Sequence, residues 1–263
     1  MTKKNVLSLF SSAGIGELGL KKAGMKILVS NELLPERAAL YQENYPDVKM
    51  ICGDIWKYKK EIVQAWNQKS EEEPFLIYAT PPCQGMSSNG AGKLLREYRE
   101  GRRAKEDPRN RLIIPTMDIV VELRPHWLLL ENVGTMSQTV ISDENGAYVN
   151  IIEYIKKRLG NDYIGKAEIV NCADYGIPQT RKRLITIFTR DKEGIKYFNK
   201  KKTLLPPKTN TEKGDLFHHP WVTLRQAIGD LPPLSAEPGK NENKEFNPYH
   251  IVPVIDKESH QVS

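Results

Sequence analysis

Short apolar, strand-like runs recur along the chain, and between them the apolar spacing switches to a helical repeat. The runs are Asn5–Leu9, Lys26–Ser30, Val48–Ile51, Phe75–Ala79 and Trp127–Leu130; the helical stretches are Glu17–Ala23, Pro35–Asn44, Tyr58–Asn67, Leu112–Leu123 and Tyr148–Leu159. Near-continuous apolar strands alternating with amphipathic helices call for a parallel sheet covered on both faces. The expected fold class is α/β, a doubly wound, mostly parallel, Rossmann-like sheet. Two later runs, Lys166–Asn171 and Leu184–Thr189, have no helical pattern between them and are expected to give that sheet an antiparallel end.

Composition narrows the setting. Apolar residues make up 39% of the 263, enough for a sizeable core. No apolar run approaches the roughly 20 residues of a membrane span, and "MTKKNVLSLF" enters the first strand without a signal-peptide pattern. A cytoplasmic protein without membrane contact is expected. Cys52, Cys83 and Cys172 form no paired framework, so reduced thiols are expected, and the histidines share no ligand spacing, so no metal is expected. The net charge of +6 is compatible with a polyanionic partner.

Polar residues gather where the strands end. The first strand leads into "FSSAGIGELG", whose glycines let a ligand approach backbone and helix N-terminus, though plain tight turns look the same. Glu32 ends the second strand, where Rossmann-like sheets hold ribose hydroxyls; a helix N-terminal acid is the alternative. Asp54 follows the third strand. No Gly-Lys-Ser/Thr phosphate loop is present, which favours an adenosyl ligand without a phosphate chain. The fourth strand delivers Pro82-Cys83-Gln84, the thiol being either an inert small residue or a rigidly aimed nucleophile. The fifth delivers Glu131-Asn132-Val133, and "QTRKR" sets Arg181 and Arg183 two apart, on one side of a strand or simply solvated. The segment Gln84–Arg111 is long and basic, either a binding lid or a charged surface helix. After Asp191 the chain turns polar and rich in turn-formers.

In sequence order, "LFSSAGIGELGL", "NELLPERAALYQENYP", "GDI", "PPCQG", "ENV" and "DYGIPQTRKR" resemble the blocks of the C5-cytosine DNA methyltransferase family, over roughly residues 5–190. The chain looks most like the catalytic (alpha) subunit of a split, two-chain restriction-modification methyltransferase. The resemblance implies methyl transfer from S-adenosyl-L-methionine to a flipped-out cytosine in double-stranded DNA, with Cys83 as nucleophile and Glu131 on the N3/N4 edge of the base. Arg181 and Arg183 would clamp the base and the catalytic loop. Phe10, Ala13, Gly14, Ile15, Gly16 and Pro82 would line the cofactor site, with Glu32 on the ribose, Leu33 on the adenine face, and Asp54 and Ile55 at the adenine edge. Ser12, Ile15 and Thr80 depart from the small residues usual there. It further implies a catalytic domain at 1–190, with 191–263 a linker and the start of a target-recognition region completed by a second polypeptide. A transfer-RNA methyltransferase and a non-catalytic DNA-binding relative are the alternatives.

Overall fold

The computed structural model describes residues 4–82 and 107–254. They form two compact units, one running to Cys172 and resuming at Arg181–Lys208, the other combining Ala173–Thr180 with the chain from Thr209 onward. In the first unit, β1 (Asn5–Leu9), α1 (Ile15–Lys22), β2 (Lys26–Glu32), α2 (Pro35–Asn44), β3 (Lys49–Cys52), α3 (Ile55–Lys69) and β4 (Leu76–Ala79) follow in order. A 3-10 turn at Pro108–Leu112 then leads into α4 (Ile113–Leu123) and β5 (Trp127–Asn132). Next come β6 (Val140–Ser142), β7 (Tyr148–Asn150), α5 (Ile151–Leu159), β8 (Ile164–Asn171), β9 (Lys182–Thr189) and α6 (Lys192–Lys201).

Seven strands make one sheet in the order β3-β2-β1-β4-β5-β9-β8. The first five are mutually parallel, and β9 runs antiparallel to both β5 and β8, as the sequence spacing predicts. Alternation along the strands, shifted once in β2 by a bulge between Ile27 and Val29, separates the two covered faces. Leu7, Leu9, Val29, Ile77 and Leu128 pack with Ile62 and Trp66 of α3, Met117 of α4 and Ile155 of α5. Val6, Ile27 and Leu76 point the other way, onto Tyr41 and Tyr45 of α2 and its exit.

Two elements differ from the sequence reading. The helix expected over Tyr148–Leu159 begins only at Ile151, because the Asn150 side chain accepts from the amides of Ile152 and Glu153 and so caps it there. Residues 148–150 pair instead with Val140–Ser142 as an antiparallel hairpin. The polar chain after Asp191 first forms α6, capped by the Asp191 carboxylate, and this helix belongs to the first unit. In the second unit, β10 (Asn210–Thr211) pairs with β11 (His219–Pro220), followed by α7 (Leu224–Ile228) behind a Thr223–Gln226 capping box. Trp221 Nε1 donates to Asp174 at 3.0 Å, and the Thr209 amide donates to the Asp174 carbonyl, which ties Ala173–Thr180 into this unit.

Helix α6 docks through a glycine. A Cβ on Gly194 would lie 2.6 Å from the Trp127 ring and 2.8 Å from Thr189 Cγ2. Gly194→Val is therefore expected to destabilise the protein by about 1–3 kcal/mol through overpacking, with loss of α6 contacts, as measured by urea unfolding.

Candidate active site

The strand order reverses at β1, where β2 departs to one side and β4 to the other. In open α/β sheets the crevice outside the carboxyl ends at such a point is where ligands bind. A cavity of about 430 Å³ lies there, bounded by Phe10 and Ser12 after β1, Asn31 and Glu32 at the end of β2, and Gly53, Asp54 and Ile55 after β3. Leu33, Leu34 and Arg37 form a further wall, Thr80 and Pro82 come from the exit of β4, and Arg109 and Leu112 from the 3-10 turn. Six of the sequence candidates thus share one cavity: Phe10, Glu32, Leu33, Asp54, Ile55 and Pro82.

Its polar groups are held in place by the local fold. Glu32 is buried, and its two oxygens accept from the amides of Ser12 (2.8 Å) and Leu34 (3.0 Å). A carboxylate carries about four lone-pair positions, so acceptor capacity remains on both oxygens. Ser12 has φ 49°, a left-handed conformation that favours glycine, and its bond to Glu32 offsets that strain. Asn31 donates through Nδ2 to the carbonyls of Ile51 (2.8 Å) and Gly53 (3.0 Å), which fixes the β3 turn beneath Asp54. Asp54 accepts from the Trp56 amide as the N-cap of α3. Against these stand apolar surfaces, including Leu33, which is 59% exposed at the rim.

One strand further along, the end of β5 carries Glu131. Arg183 of β9 reaches it across the antiparallel pair, Nε to Oε1 at 2.7 Å, with the arginine side chain 18% exposed. Arg181 lies just before β9 with an exposed side chain, so Arg183 alone of the two arginines is ion-paired to Glu131 here. Cys83 and the basic segment up to 106 lie outside the described residues; the chain enters that stretch directly from Pro82 at the cavity wall.

Ala13, Gly14, Ile15 and Gly16 do not line the cavity. The two glycines answer to packing from behind. Gly14 has φ 88° and its carbonyl accepts from Tyr45 Oη at 2.6 Å, while a Cβ on Gly16 would meet Tyr78 Oη at 2.7 Å. Ile15 points outward, 77% exposed. The sequence reading gave no site role to Asn31, Leu34, Arg37 or Leu112, and placed Arg109 only within the basic segment Gln84–Arg111; Asn31 stands directly before Glu32 at the polar end of β2, the signal that could have found it.

Residues 4–253 match the family described as C-5 cytosine-specific DNA methylase, and the chain belongs to that family. It is 36% identical over 249 residues to the Type II methyltransferase M1.HgaI of Avibacterium volantium, covering 93% of this chain and 61% of that protein. The Type II methyltransferase M1.HphI of Haemophilus parahaemolyticus is 29% identical over 231 residues, covering 88% of this chain and 53% of the relative. The chain thus spans between half and two-thirds of these two relatives. It spans 91% of the Type II methyltransferase M.AquIA of a Picosynechococcus species, at 29% identity. Among solved structures, the Entamoeba histolytica methyltransferase EhMeth shares the fold, with TM-score 0.54 at 16% identity over 85% of this chain and 58% of that one.

Beneath the glycine loop Glu17 is 1% exposed and accepts from Ser8 Oγ at 2.5 Å. Burial pushes its carboxyl above the ordinary glutamate value, outweighing the Ser8 bond. Burial, together with the charges of Glu17 and Glu131, likewise pushes the Tyr78 phenol up to about 12. The folded state thus holds the Glu17 proton more tightly than the unfolded chain does. Its stabilising contribution is complete below the unfolded value and is lost as pH rises through the folded one. Glu17→Gln should become progressively more stable than wild type as the pH is raised from 4 to 8, read from denaturation midpoints across that range.

Proposed function

We propose that the chain transfers a methyl group from S-adenosyl-L-methionine to C5 of a flipped-out cytosine in double-stranded DNA, as the modification arm of a restriction-modification system. The observation that carries this reading is the adjacency of two sites at one sheet edge. A cavity with a held carboxylate and apolar walls stands at the β1–β4 switch, and the Glu131–Arg183 pair stands at the end of the next strand. The cavity's lining suits an adenosyl group: Glu32 to accept from the ribose hydroxyls, Leu33 for the adenine face, and Asp54 and Ile55 for its edge. Phe10 and Pro82 would close the floor, while Ala13, Gly14, Ile15 and Gly16 would act by shaping the loop. The cofactor supplies an electrophilic methyl.

Cytosine C5 is a poor nucleophile until electrons are fed into the ring. In this reading the Cys83 thiolate adds to C6, C5 takes the methyl, the C5 proton leaves to a base, and the thiolate departs as the C5–C6 double bond re-forms. Glu131 holds the N3/N4 edge and, protonated, neutralises charge developing at N3; Arg183 fixes its carboxyl, and Arg181 faces the ring carbonyl. A paired base is inaccessible, so the nucleotide leaves the stack before reaction. The division follows the same reading, with catalysis in residues 1–190 and 191–263 beginning a recognition region. A second polypeptide would complete recognition. Supporting this, Ile15 and Leu18 on α1 are 77% and 55% exposed, an apolar face suited to a protein partner.

With labelled cofactor and the partner supplied, duplex DNA should accept methyl groups and total transfer RNA should not; label in the RNA instead would overturn the DNA assignment. Cys83→Ser should abolish transfer, and Glu131→Gln should lower turnover by about 10²–10³-fold with cofactor affinity retained. A 5-fluorocytosine duplex should trap the wild-type protein covalently, visible as a shifted band in denaturing gels. Normal turnover by the serine variant would sink the covalent route.

A further inference from the structure

The exit of β4 has a donor problem. Pro81 and Pro82 lack amide hydrogens, so neither can donate to the neighbouring strands. The Thr80 amide makes the last ladder bond, to the Leu9 carbonyl at 3.3 Å. Past that point two side chains take over. Thr80 Oγ1 donates to the Phe10 carbonyl at 3.0 Å, on the β1 side. Asn132 Nδ2 donates to the Pro81 carbonyl at 2.9 Å, on the β5 side.

Both donors are committed by their surroundings. Asn132 is 2% exposed, and its Oδ1 accepts from the Val133 amide at 2.8 Å, so the amide group is oriented and cannot turn over without losing both bonds. Phe10 sits at φ 59°, a conformation costly for a residue with a Cβ, and the Thr80 hydroxyl is what engages its carbonyl there. Phe10 and Thr80 both line the adenosyl-sized cavity, while Asn132 directly follows Glu131. The two bonds therefore grip the Thr80–Pro81 pair from the cavity side and from the Glu131 side.

We propose that Thr80 and Asn132 are positioning residues, whose side-chain hydrogen bonds replace the sheet ladder that the prolines interrupt and set the cavity and the β5 acid in fixed register. The two halves are separable. Thr80 shapes the cavity through Phe10, whereas Asn132 fixes Pro81 relative to Glu131 and does not line the cavity. A glycine at 80 could not reach the Phe10 carbonyl. The assignment rests on the methyltransferase reading above.

The test uses the full chain with its partner, S-adenosylhomocysteine as an unreactive probe in calorimetry, single-turnover methyl transfer to duplex DNA, and the thermal midpoint as a control for folding. Thr80→Val should weaken S-adenosylhomocysteine binding about 5- to 10-fold, the scale of one lost hydrogen bond, and Thr80→Ser should restore it to within about twofold. Asn132→Ala should leave binding within about twofold while slowing methyl transfer about 10- to 100-fold at saturating cofactor. Thr80→Val that binds as wild type, Thr80→Ser as weak as Thr80→Val, or Asn132→Ala that loses binding and transfer in parallel would each overturn the assignment. A wild-type protein that binds no S-adenosylhomocysteine would instead overturn the cofactor reading beneath it.

Discussion

The strand order reverses between β1 and β4, so the chain leaving β1 crosses to one side and the chain leaving β4 to the other, and the rest of the site is built in the gap this opens. Each strand in the parallel set ends at the same edge, so residues far apart in sequence arrive together without any long loop. Phe10, Glu32, Asp54 and Thr80 come to one cavity from four strands. The ordered backbone of the sheet positions these groups before any ligand is present.

The antiparallel end serves a different purpose. Because β9 runs against β5, its first residues lie beside the last residues of β5, and Arg183 is thereby delivered to Glu131. A parallel strand at that place would have put its start at the opposite edge of the sheet. The arginine fixes one carboxylate oxygen of Glu131, and the buried tie from Asn132 to Pro81 holds the neighbouring strand exit at a set distance. Charge pairing and neutral hydrogen bonds divide the work of alignment between them.

Much of this is legible in the sequence, for identifiable reasons. The parallel strands are legible because burial on both faces leaves unbroken apolar runs, and α2 because Pro35 can sit only in a first helical turn. Glu32 and Asp54 are legible because each stands at a strand end beside the switch, although Asp54 also serves as the N-cap of α3. What depends on a single side-chain bond is not: the Asn150 cap that shortens α5, or Arg183 rather than Arg181 meeting Glu131. Arg109 and Leu112 reach the cavity from a turn whose path the local sequence does not specify. Gly14 and Gly16 are legible as necessary glycines, but the reason lies behind the loop, in the rings of Tyr45 and Tyr78, and not in front of it.

The central claim is that the cavity at the β1–β4 switch takes the adenosyl group with Glu32 on its ribose. A crystal structure of the protein with S-adenosylhomocysteine tests this most directly. The account predicts both ribose hydroxyls within about 3.2 Å of the Glu32 carboxylate, with the adenine against Leu33 and the sulfur toward Pro82. A nucleoside bound elsewhere on the sheet edge, or bound in the cavity with Glu32 engaged only by the amides of Ser12 and Leu34, would contradict it.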